Sequence, residues 1–147
     1  MPTARRSRTI ATATDELWEL ICDPHHLPRW WPRVSRVEGV DRGAFTEVMS
    51  TRKGHVVRAD FEIVQRDEHA HVLRWDQRLA GTPFERVLRS AETELRLTAA
   101  ASRATDVTIE LRQSPAGFFA RFGSFMIRRA ATHTIDEALD GLARICG

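Results

Sequence analysis

The sequence contains no tyrosine, and Lys53 is the only lysine among its 22 basic residues. Without tyrosine, no phenolic hydroxyl is available as a hydrogen-bond donor. The near-exclusive use of arginine, beside abundant alanine, carries the mark of GC-rich coding and points to a bacterial source. Arginine's bidentate grip on anions is the other reading of the same bias. Cysteine is scarce as well. Cys22 and Cys146 belong to no Cys-x-x-Cys or Cys/His cluster, so two free, partly buried thiols in a reducing cytoplasm are expected. No apolar run approaches the roughly 18 residues of a membrane span, and the basic start at Arg5, Arg6 and Arg8 precedes no apolar signal core. The expectation is a cytoplasmic protein with no integral membrane segment. Charge of one sign is also lacking. A net +2, from 22 basic and 20 acidic residues, gives no pull towards nucleic acid. No repeat and no low-complexity tract interrupts the 147 residues, which suffice for a single domain, 1–147, with a proper core.

What is present is patterning. The stretch from Gly117 to Cys146 reads as one long helix. Ser114-Pro115-Ala116-Gly117 stops whatever precedes it, and no proline follows. Ser124, Ala131, Ile135, Ala138, Leu139, Leu142 and Cys146 recur at three- and four-residue steps, with Arg129, His133, Asp136, Glu137 and Asp140 opposite. At about 1.5 Å per residue, roughly 28 residues span roughly 42 Å, so the helix needs a broad surface to lie on.

The rest of the chain supplies that surface. Arg6 to Thr12 reads as a strand. Thr12 or Thr14 then caps a helix running to about Cys22, with Asp15 and Glu16 at its positive end. Pro24, Pro28 and Pro32 allow at most a helical turn next, and only one of the adjacent Trp30 and Trp31 can point into a core. Strands follow at Val34–Val40, Phe45–Arg52, His55–Gln65, His71–Leu79, Phe84–Thr98 and Val107–Gln113, with a hairpin turn at Asp41-Arg42-Gly43 and a bulge near Ser90-Ala91. In the clearest of them, Val57, Ala59, Phe61 and Ile63 point inward, and Arg58, Asp60 and Glu62 face water. Short turns between strands imply an antiparallel meander. A twisted sheet of about seven strands curling around a helix leaves room at one end.

This order of elements resembles the helix-grip fold of START-like proteins, and the local sequence resembles their polyketide cyclase/dehydrase branch. Two pieces carry the likeness. One is Ala13-Thr14-Asp15-Glu16-Leu17-Trp18-Glu19-Leu20-Ile21-Cys22-Asp23-Pro24 with the following Leu27-Pro28-Arg29-Trp30-Trp31-Pro32. The other is the closing Asp136-Glu137-Ala138-Leu139-Asp140-Gly141-Leu142. The resemblance implies an α+β fold: a curved antiparallel sheet wrapped around a long C-terminal helix, with two short helices after the first strand. That family includes lipid and hormone carriers, polyketide aromatase/cyclases and members with no known reaction, and fold does not decide among them.

Neither metal nor cofactor is expected. The adjacent His25 and His26 cannot share an ion from regular structure, and the chain has no phosphate-cradling glycine loop and no nucleophile elbow. The candidate site is an elongated cavity between the sheet and the first half of the long helix, larger than roughly 300 Å³. Its apolar wall would be Trp31, Phe61, Trp75, Phe122, Phe125 and Met126. Its polar groups would be Gln77 and Gln113, which share parity with inward apolar residues, and His55, either frayed into water or a general base at the mouth. Arg128 lies on the same stripe as Arg121 and Ala131, and is either exposed or met by an anion. Two functions lead, and a third, a stress-related domain acting through protein partners, also stays open. One is carriage of a hydrophobic small molecule, such as a lipid, polyketide or aromatic metabolite. The other is an aromatase/cyclase-type aldol cyclisation or dehydration, with His55 as base and Arg128 or Gln113 holding enolate oxygens. The absence of tyrosine weighs against the second. Oligomeric state is left open.

Overall fold

Period-two patterning produces the dominant layer of the molecule. The computed structural model describes residues 2–51, 53–117, 120 and 123–146. Its seven strands are β1 (Thr3–Ile10), β2 (Val34–Asp41), β3 (Ala44–Ser50), β4 (Val56–Asp67), β5 (Val72–Gln77), β6 (Leu88–Ala101) and β7 (Ala104–Pro115). They form one curved antiparallel sheet in the order β1-β7-β6-β5-β4-β3-β2. Strands β2 to β7 are thus a plain meander, and β1 closes the far edge against β7. The inward row of β4 is the expected one. Ala59 is buried, Val57, Phe61 and Ile63 are half-buried, and Arg58, Asp60 and Glu62 are exposed. The β2–β3 hairpin turns at Arg42 and Gly43, both at positive φ (49° and 84°), where glycine carries no Cβ penalty.

Two short helices follow β1. Helix α1 (Thr14–Cys22) buries Leu17, Trp18, Ile21 and Cys22. Its N-cap is Ala13, which offers no side-chain cap, so neither Thr12 nor Thr14 takes that role. The threonines instead tie the chain together. Thr12 donates to the Cys146 carbonyl at 3.0 Å, and Thr14 shares a 2.9 Å hydrogen bond with Thr105. Asp23 ends α1, and its carboxylate accepts from the His25 backbone to cap a single 3-10 turn, Pro24–His26. Helix α2 (Leu27–Trp30) then buries Leu27 and Trp30.

The long helix, α3, spans Ser124–Cys146, 23 residues rather than the expected 28 or so. Gly123 carries no regular helical conformation and accepts, through its carbonyl, the first-turn bond from Ile127 at 2.8 Å. Glycine is a poor helix residue, and the helix begins behind it. Ala131, Ile135, Ala138, Leu139 and Leu142 face the core as expected, whereas Ser124 is exposed. The helix lies on β1, β7 and α2. Its contact with α2 is so close that a Cβ on Gly141 would overlap the Trp30 carbonyl. Ile10, Leu17, Leu95, Ile109, Ile135, Leu139 and Leu142 fill the space between the layers.

Most strand ends differ from expectation by a few residues. β1 starts at Thr3 and ends at Ile10. Phe84 lies in a 3-10 turn, Pro83–Arg86, capped by Thr82, because proline and a threonine cap outcompete the strand there. β6 is irregular between Leu88 and Ser90, next to the expected bulge, and again between Ala99 and Ala101.

Candidate functional site

Sheet curvature leaves a gap between α3 and the inner face of the sheet. It forms a cavity of about 250 Å³. That is below the roughly 300 Å³ expected of a drug-sized pocket. Strand alternation builds its walls. From β3, β4, β5 and β7 come Met49, Phe61, Trp75 and Leu111, and Trp31 closes one end behind α2. Gln77, Thr93 and Gln113 supply uncharged polar atoms, and Ala130, Ala131 and Thr134 of α3 form the opposite side. The small alanines create the void, since a larger side chain there would fill it. Phe61 and Gln77 also border a wider hollow of about 580 Å³ at the ends of β3, β4 and β5, shared with Leu79, Asp60, Glu62 and Asp76.

The aromatic residues interlock. Trp31 meets Trp75 edge-on at 5.7 Å and Trp30 at 5.4 Å. Phe45 stacks on Phe61 at 5.4 Å and meets Trp75 edge-on at 6.0 Å. Both geometries are favourable for ring quadrupoles. Of the adjacent tryptophans, Trp30 is the core residue and Trp31 the cavity residue.

The residues singled out from sequence therefore separate. Trp31, Phe61, Trp75, Gln77 and Gln113 come together around the cavity. His55 does not. β4 begins at Val56, so His55 precedes the strand, lies exposed and is outside the cavity lining. Phe125 and Met126 are 74% and 69% exposed, because the shorter α3 starts just before them and turns them outward. Arg128 is exposed too, in an outer groove with Phe125, Arg129, His133 and Asp136. Phe122 and Arg121 lie outside the described residues. Among the described residues, no group of three or more His, Cys, Asp or Glu side chains is arranged to hold a metal ion.

Sequence reasoning missed Glu47. It sits on β3 between Phe45 and Met49, in the inward row, is 2% exposed and borders the cavity. No described residue forms a hydrogen bond or ion pair with its carboxyl. Burial pushes its pKa from 4.5 up to about 8, which favours the protonated, neutral carboxyl around neutral pH. The signal was available: Phe45, Glu47 and Met49 alternate, and the middle member is charged. Burial also pushes the Cys22 thiol up to about 12, leaving it inert, and raises that of Cys146.

No curated protein matches the sequence. Solved structures match the fold. The di-domain aromatase/cyclase BexL, from the BE-7585A biosynthetic pathway, superimposes with a TM-score of 0.82 at 18% identity, over 98% of this chain and 46% of BexL. This chain thus spans about half of that di-domain protein. A START superfamily protein from Mycobacterium smegmatis gives 0.81 at 10% identity, over 98% of this chain and 96% of its own. The ZhuI aromatase/cyclase from Streptomyces sp. R1128 gives 0.77 at 13% identity, over 98% and 92%. Identities this low speak to the fold alone. Among the described residues no helix is long and apolar enough to cross a membrane. The sequence itself matches one family from end to end, residues 1–147, and the chain belongs to that family, polyketide cyclase/dehydrase and lipid transport.

Proposed function

We propose that the protein binds an uncharged, hydrophobic small molecule in the cavity between the sheet and α3. The observation that carries this reading is the lining itself: a wall of Trp31, Met49, Phe61, Trp75 and Leu111, broken only by a few placed polar groups. Ligand pockets combine these features, whereas a packed core leaves no such gap. The small volume favours a ligand of one or two rings over an extended polyketide. Membership of a family that includes lipid transport is consistent with this.

A second reading, aromatase/cyclase-type catalysis, draws support from Glu47 alone. A carboxyl whose pKa lies near neutrality suits general acid–base work. Under that reading Glu47 takes the role that exposure denies to His55. Gln77 and Gln113, with the hydroxyls of Thr93 and Thr134, are uncharged donors available to an enolate oxygen.

Native mass spectrometry of freshly purified protein, together with calorimetric titration of the neutral two-ring probe 1-naphthylamine, tests the binding reading. Saturable one-to-one binding that weakens in Phe61→Trp supports it. Overpacking by the new indole costs about 1–3 kcal/mol of stability, so folding of the variant is checked by circular dichroism. Absence of any saturable binding overturns it.

A further inference from the structure

A buried carboxyl with nothing to bond is expensive, and native structures rarely keep one without a use. Glu47 is 2% exposed, opens on the cavity, and has no described hydrogen-bonding or ionic partner. Among the described residues, the groups that face it are uncharged. Val37 and Ala59 stand beside it in register on β2 and β4. Gln77, Thr93 and Gln113 reach the cavity from β5, β6 and β7, and Thr134 from α3. Glu92 also borders the cavity, but strand alternation turns its carboxylate to the opposite face, where it accepts from Arg112 at 3.4 Å.

This arrangement selects by charge. A ligand carboxylate would enter beside Glu47 with no described cation in the lining to meet it. A ligand cation would need Glu47 ionised, which burial opposes. What remains is a neutral hydrogen-bond acceptor on a ring system that fits among Trp31, Phe61 and Trp75. We propose that Glu47 is the polar anchor of the cavity, donating its carboxyl proton in a hydrogen bond to the carbonyl oxygen of an uncharged aromatic ligand. The inference rests on the cavity being a ligand site, and its test separates the two claims.

The test is a calorimetric titration at pH 6.5 and pH 9.5 with three matched probes: 2-acetylnaphthalene, 2-ethylnaphthalene and 2-naphthoate. The expected result at pH 6.5 is about tenfold tighter binding of the ketone than of the ethyl compound, the worth of one hydrogen bond to an otherwise unmatched buried group. That preference fades at pH 9.5, where Glu47 is ionised, and 2-naphthoate binds more weakly than either. Glu47→Gln keeps a donor and holds the ketone preference at both pH values. Glu47→Leu loses it at both. Equal affinity for ketone and ethyl compound in the wild type overturns the anchor while leaving the cavity as a binding site. So does a ketone preference that grows with pH, or one that survives in Glu47→Leu. Failure of both neutral naphthalenes to bind overturns the ligand site and the anchor together. The wild-type comparison across pH decides the matter even where a variant fails to fold.

Discussion

Glu47 lowers the stability of the fold that holds it. Its pKa is about 8 in the folded chain against 4.5 for the free side chain. The folded state therefore keeps a proton that the unfolded state has lost across that window. The sign follows: stability is full below about pH 4.5 and declines as pH rises towards 8, by an amount on the order of a few kcal/mol. Asp23, Glu38 and Glu68, with carboxyls held below their usual range, slope the other way, towards acid. The clean measurement is the difference between wild type and Glu47→Gln in denaturant titrations at pH 5, 7 and 9. The glutamine protein should gain relative stability with each step up, and a flat difference would place Glu47 in a solvated setting. Cys22 gives a second expectation. Its thiol should react with a disulfide reagent only as fast as the domain opens, and rapid labelling at pH 8 would contradict its burial. At this scale the sequence was partly legible. Parity placed Phe61, Trp75, Gln77 and Gln113 correctly inward, because alternation alone fixes the side of a strand residue. It left His55 open between water and the cavity mouth, since parity says nothing about where a strand ends, and the structure puts it in water. It passed over Glu47, where a charged side chain in an inward row runs against the usual exposure of glutamate.

At the scale of the element, α3 is held by what it lacks. Gly141 presents bare backbone to the Trp30 carbonyl, so the helix and α2 approach without an intervening side chain. In an exposed helix, glycine to alanine is stabilising. Here Gly141→Ala should destabilise instead, because the main chain of α2 must move to admit a methyl group. A thermal melt that rises would show the contact to be loose. Leu142 is fully buried beside it, and Leu142→Ala should lose about 2–5 kcal/mol, measured by urea titration. The helix was legible from the spacing of Ala131, Ile135, Ala138, Leu139 and Leu142. Its start was not. The stripe reaches back to Ser124 with no proline between it and Pro115, and only the intrinsic cost of glycine in a helix signals the stop at Gly123. The turn at Pro83–Arg86 was misread for a related reason: Phe84 has strand propensity, but the Thr82 cap decides its conformation.

For the whole molecule, topology was the most legible level. A run of strands joined by short turns leaves a meander as the simple solution, and a long amphipathic helix must lie on it. What the sequence could not convey was how much of the space between these layers side chains would fill. Ligand binding to that space should raise the melting temperature in proportion to the logarithm of probe concentration above Kd, measurable by calorimetry. An insensitive melt at saturating 2-acetylnaphthalene would argue against the cavity as a site. The ring contacts across the cavity have an optical consequence. With four tryptophans and no tyrosine, absorption near 280 nm belongs to indole alone. Trp30, Trp31 and Trp75 follow one another edge to face within 6 Å, close enough for their excited states to mix. Trp18 stands apart, its indole donating to Glu68 at 2.5 Å. The near-ultraviolet circular dichroism of the folded protein should therefore show a split band from the three coupled indoles. A guest lodged between Trp31 and Trp75 would detune that band, so the protein carries a chromophore array that reports the state of its own interior.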